Sequence, residues 1–97
     1  MFSITTDSGR TTCTFPERMD TLACEKYQAQ IDQLVGQAQT PVTFDMNGVV
    51  YVASSFLRIC LKAAQVLGKE QFELVNVGPG AKTVFKIAGL DRELTIR

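Results

Sequence analysis

The chain has 97 residues, 45% of them hydrophobic and 21% charged, which suits a single domain spanning 1–97 that buries about 60–65% of the surface its unfolded form exposes. Ten basic and ten acidic side chains cancel, which leaves no electrostatic footprint for nucleic acid or an anionic membrane. No apolar run reaches the ~20 residues of a membrane span and "MFSITTDSGR" lacks the charged and apolar regions of a secretion signal, so the expectation is a soluble, cytoplasmic protein with no nucleic-acid partner and no direct membrane insertion.

Elements follow in chain order from periodicity, because no repeat, low-complexity tract or long linker interrupts the sequence. "MFSITT" and "TTCTF" flank "DSGR", whose Asp, Ser and Gly suit a tight turn, and together they predict an N-terminal hairpin. Asp20 or Thr21 can cap a first helix in which Tyr27, Ile31, Leu34, Val35 and Ala38 recur at helical spacing. Pro41 disfavours helix in the residue before it, so that helix ends near "QAQTP". "PVTFDM" alternates Val42, Phe44 and Met46 on one side, "NG" turns the chain, and "VVYV" has the composition of buried extended chain. A second helix runs from Ser54 or Ser55 to Leu67, with Gly68 placed to end it. "FELVNV" is a near-continuous apolar strand, "GPGAKTVFKIAGL" a short helix opened by Pro79 and closed by Gly89, and "ELTI" a last short strand. The order ββαβαβαβ predicts an α/β fold with a mixed, mainly parallel sheet and helices packed against it.

The second helix is unusually apolar. At ~100° per residue, Val66, Ile59, Ala63, Phe56, Leu67, Cys60, Ala64, Leu57 and Leu61 share one arc of roughly 220°, opposed only by Arg58, Lys62 and Gln65. A helix lying on a sheet needs a stripe of little more than ~100°. Leu57, Cys60, Leu61 and Ala64 can form that stripe, which leaves Phe56, Ile59, Ala63 and Val66 as a candidate exposed strip for a protein partner; the plainer alternative is that neighbouring elements cover them. Ser54 and Ser55, immediately before this run, are ordinary helix caps on residue type alone.

Catalytic and metal-binding patterns are weak. The chain has no His, no GxSxG elbow and no Cys-His pair. Cys13, Cys24 and Cys60 are odd in number and lack CxxC spacing, so they are expected to be buried, reduced thiols. "VGPGAK" lacks the GxxxxGK[ST] spacing of a phosphate loop. The expectation is a protein that is not an enzyme, with no cofactor and no metal.

The second half resembles the STAS domain family, named for sulphate transporters and anti-sigma factor antagonists. "TFDMNGVVYVASSFL" resembles the family's strand, D-L-S-G-V, apolar stretch and D-S-S-G-L opening a helix, with Asp45 to Val49 on the first part and Ser54, Ser55 and Leu57 on the second. "LVNVGPGAKTVFKIAGLDRELTI" resembles the family's closing strand, proline-started helix, G-L and last strand, and "RMD" its L-D before the first helix. Ala53 and Phe56 stand where the family carries an acidic residue and a glycine. The resemblance implies a protein-interaction domain of the anti-sigma factor antagonist type, with Ser54 the phosphoacceptor for a partner that is both anti-sigma factor and serine kinase. It also implies that the loop holding Asp20 lies beside that serine and faces the partner. The expected partner-binding residues are therefore Asp20, Ser55, Phe56, Ile59, Ala63 and Val66.

Two alternatives remain open on the sequence. One keeps the fold but makes the domain a constitutive adaptor, a scaffold subunit or a regulator of a lipid-transport ATPase, which Ala53 and Phe56 favour. The other is a small-ligand or lipid carrier, for which no residue pattern marks a cavity.

Overall fold

The turn chemistry of "DSGR" closes the N-terminal hairpin. The structure, a computed structural model, describes residues 2–97. β1 (Ser3–Asp7) and β2 (Arg10–Thr14) pair antiparallel, with Ser8 at φ 52° and Gly9 at φ 76° supplying the two left-handed residues of a two-residue hairpin turn. β3 (Arg18–Met19), α1 (Thr21–Gln37), β4 (Val42–Asp45), β5 (Tyr51–Val52), α2 (Ser54–Leu67), β6 (Phe72–Val75), α3 (Pro79–Ile87) and β7 (Thr95–Ile96) follow. The main sheet has the order β1-β2-β4-β6-β7, antiparallel only between β1 and β2, while β3 and β5 form a separate parallel pair. The expected ββαβαβαβ order is the main sheet with its three helices. The short β3 and the single 3-10 turn at Lys69–Gln71 were not legible in advance.

Local signals set the helix ends. Asp20 caps α1, its Oδ1 accepting from Ala23 N–H at 2.9 Å, an interaction worth about 1 kcal/mol. α1 stops at Gln37, and Ala38 turns to ψ 131° ahead of Pro41. Gly68 ends α2 at φ 91°, a conformation costly for other residues, while its N–H donates to the Ala64 carbonyl at 2.8 Å.

Alternation along the strands divides the sheet. Cys13, Val42, Phe44, Phe72 and Leu74 enter the core with Ile31 and Val35 of α1, Leu57 and Cys60 of α2, and Ala81 and Phe85 of α3. Thr12, Thr43 and Glu73, in register across β2, β4 and β6, point the other way. The core is organised by rings: Phe44 packs edge-on against Phe72 (4.7 Å between centroids) and Phe15 (4.9 Å), and Phe15 meets Phe56 at 5.3 Å.

This packing overturns the expected exposed strip. Phe56, Ile59 and Ala63 are core residues, 0%, 6% and 1% exposed, and of the four only Val66 faces solvent, at 54%. α2 lies on the sheet and also against α1, where Ile59 shares a cleft with Gln28 and Asp32 and where Lys62 Nζ stands 3.8 Å from Asp32 Oδ2. A helix packed on two sides needs the wider arc. Leu61, expected in the core, is half-buried, because the arc is centred nearer Phe56, Cys60 and Ala63.

Phe56→Ala is therefore expected to lower stability by about 3–5 kcal/mol, and Val66→Asp to stay within about 0.5 kcal/mol of the parent. Thermal unfolding of the two variants checks the assignment.

Candidate functional site

The β3–β5 pair brings the first turns of α1 and α2 together. Met19 lies opposite Val52, Val50 N–H donates to the Glu17 carbonyl and Ala53 N–H to the Met19 carbonyl, both at 2.8 Å. Asp20 and Ser54, 34 positions apart in sequence, thereby begin adjacent helices.

Neither serine caps α2. Ala53 is the N-cap, extended at φ −86° and ψ 165°, and its carbonyl already accepts from Phe56 N–H at 3.0 Å. The helix starts one residue earlier than a serine cap requires, because β5 and the Met19 contact fix Ala53 as the last extended residue. An alanine has no oxygen to offer the first N–H groups, and the first turn of α2 holds no acidic residue.

The two serines have opposite environments. Ser54, the first helical residue, is exposed; Ser55 Oγ is buried and makes no hydrogen bond of ordinary geometry. Its neighbour is the Cys24 thiol, which donates weakly to the Met19 carbonyl at 3.8 Å. Burial pushes Cys24 above its usual 9.0, with the Ser55 hydroxyl pulling it down and Asp20 pushing it further up. Cys60 is held well above 9.0 by burial and by nearby Cys24, and Cys13 is pushed up to about 12 by burial. All three cysteines are free and buried, as expected.

The exposed apolar groups at the start of α1 and on the segment that leads into α2 are residues the sequence pattern did not single out: Leu22, Val50 and Tyr51 are 76%, 67% and 44% exposed. "VVYV" is thus not uniformly buried: Val49 and Val52 enter the core, and the side chains between them face out. Tyr51 stacks under the Arg18 guanidinium at 4.6 Å. The loop carrying Val50 is anchored by Asp45 Oδ1, which accepts from Asn47 N–H at 3.0 Å and Asn76 Nδ2 at 2.9 Å. No sequence periodicity marked this exposure: two consecutive side chains face out, and all four residues are apolar. Val66 is at the other end of α2, about 18 Å along the axis from Ser54, so it does not join this surface. Arg58, one turn after Ser54, is exposed and in no salt bridge among the described residues; with Gln28, Asp32 and Ser55 it borders a cleft of about 130 Å³ between α1 and α2.

An open mixed sheet layered with helices, carrying a turn-to-helix junction with a serine at its first helical position, defines the class of the domain. The STAS domain family model matches residues 2–97, and the chain belongs to that family. No curated protein matches it in sequence. In fold it is similar to a STAS domain protein from Planctomyces limnophilus, at TM-score 0.85 and 22% identity over 99% of this chain and 87% of that one. An anti-sigma factor antagonist from Mycobacterium paratuberculosis gives 0.86 and 21% over 99% and 83%. The phosphorylated form of the Bacillus cell fate determinant SpoIIAA gives 0.74 and 18% over 100% and 91%.

Two outcomes follow from the buried groups. Ser55→Ala is expected to leave the melting temperature unchanged or raised, since it removes an unsatisfied polar atom, whereas Asp20→Ala loses about 1 kcal/mol with its cap. The unfolded thiols lose protons above about pH 9 while the folded ones keep theirs, so stability falls as pH rises from there toward about 12. A thiol reagent at about pH 8 is expected to label none of the three cysteines in the native protein and all three in denaturant.

Proposed function

We propose that the domain is a protein-interaction regulator of the anti-sigma factor antagonist type, with Ser54 its phosphoacceptor and the joined first turns of α1 and α2 its partner-binding face. One observation carries the reading: of the two serines at the junction, Ser54 is exposed and Ser55 turns its hydroxyl inward, so only the first is open to a kinase. Asp20 caps the adjacent helix, and Leu22, Val50 and Tyr51 offer apolar surface for the partner. Phe56, Ile59 and Ala63 act from beneath, fixing α2, and take no part in direct contact.

The site suits a phosphate physically. A phosphate on Ser54 brings ~1.5–2 negative charges to a helix start with no acid in its first turn and no side-chain cap. Arg58, at i+4, is spaced to pair with it along the same helix face. The fold therefore accepts the modification while the partner face gains charge. A fitting partner is a serine kinase that is also an anti-sigma factor.

A second reading, a constitutive adaptor for a scaffold or a transport ATPase, is favoured by Ala53, which replaces the family's acidic residue at the N-cap. The two readings separate on modification. With ATP and lysate of the source cells, the tagged domain is expected to take up phosphate, Ser54→Ala to take up none, and Ser55→Ala to behave as the parent. Ser54→Asp is expected to weaken the captured complex at least tenfold, about 1.4 kcal/mol, without lowering the melting temperature. A complex that survives Ser54→Asp unchanged, with no phosphate incorporated, selects the adaptor.

A further inference from the structure

β1 is an unprotected sheet edge. Its five residues, Ser3–Asp7, are all exposed and pair only with β2. Natural edges are blunted by Lys, Pro, bulges or brevity; β1 has none of these, and its one charge, Asp7, sits next to the turn. The opposite edge, β7, is two residues long, with Asp91, Arg92 and Glu93 before it and Arg97 after it.

We infer that β1 is a docking strand for β1 of a second copy of this chain, paired antiparallel about Thr5. The geometry follows from the hairpin. A two-residue turn makes its flanking pair, Asp7 and Arg10, exchange both hydrogen bonds, and alternation then commits Ser3, Thr5 and Asp7 to β2. The backbone groups of Ile4 and Thr6 consequently point outward. In a two-fold pairing centred on Thr5, Ile4 of each copy meets Thr6 of the other, and the four outward N–H and C=O groups are satisfied reciprocally. Thr5 meets Thr5, a favourable cross-strand pair, and Ser3 meets Asp7, so no like charges are opposed.

Side-chain surroundings favour the same occupant. Ile4 is 41% exposed and, with Gln30, Gln33, Leu34 and Gln37 of α1, lines a shallow trough of about 230 Å³ without a charged residue. Pairing covers Ile4 and this trough. The chain's net charge of zero adds no long-range repulsion between copies. Because β7 is short and flanked by charges, the pairing closes at two copies and does not propagate as β1 on β7.

Sedimentation of the purified chain into the millimolar range tests this. A reversible dimer is expected, weakened at least tenfold by Ile4→Lys, an exposed substitution that leaves the core intact. Thr5→Cys is expected to form an intermolecular disulfide with oxidised glutathione. Asp7→Cys is expected to form none, its two copies lying about 14 Å apart along the ladder. The native thiols are buried and do not compete. A chain that stays monomeric at the highest concentration, a dimer indifferent to Ile4→Lys that fails to cross-link through Thr5→Cys, or growth beyond two copies would each overturn the inference.

Discussion

The N–H of Ala53 donates to the carbonyl of Met19 at 2.8 Å, and much of the candidate site depends on that contact. It holds Ala53 extended as the last residue before α2, and so decides which way each following side chain turns. At 100° per residue, Ser54 is left facing solvent, Ser55 rotates inward beside Cys24, and Phe56 reaches Phe15 and Phe44. A helix beginning one residue later would give Ser54 the cap. The aromatic anchor opposes such a slip, because moving Phe56 would empty the centre of the core.

Elements set by local chemistry were legible in the sequence. The Ser8-Gly9 turn, the Asp20 cap, the stop before Pro41 and the glycine ends of α2 and α3 rest on backbone preferences that act over a few residues. Burial was legible only as a pattern and not as an address. The ~220° arc of α2 showed correctly that the helix is apolar on more than one side, but not that α1 covers the second side. For the same reason the exposure of Val50 and Tyr51 was hidden: it follows from pairing with Arg18–Met19, two residues whose composition carries no strand signal. Ser54 could be singled out by resemblance to a family. Its separation from Ser55 required the register of the helix.

The opposite face of the sheet obeys a different constraint. Mainly parallel sheets are usually covered on both faces, yet here Thr12, Thr43 and Glu73 lie across the side away from the core. Polar ties take the place of a second helix layer. Glu73 meets Arg10 at 3.0 Å and Arg97 at 3.5 Å, and Arg10 donates to Thr43 Oγ1 at 2.6 Å, linking β2, β4, β6 and the end of β7. These pairs are partly exposed and individually add little stability. Their effect is to keep the uncovered face polar, so that the apolar groups left outside the core fall near the sheet edge at Ile4, at the start of α1 and on the segment leading into α2, at Val66 near the end of α2, and on α3 at Val84 and Ile87.

At the α1–α2 junction, apolar surface and an uncapped helix start occur together, and the two respond to charge in opposite ways. The backbone of α2 gains from an anion at Ser54, because its first N–H groups have no side-chain acceptor. A partner packed, as proposed, on Leu22, Val50 and Tyr51 would lose, because it would have to desolvate that anion or leave water in the contact. In the proposed switch the same charge would steady the domain while weakening its complex, with no rearrangement of the core needed to convert one effect into the other. Under the proposed modification, a phosphate on Ser54 would meet no acidic side chain in the first turn and would have Arg58 one turn on.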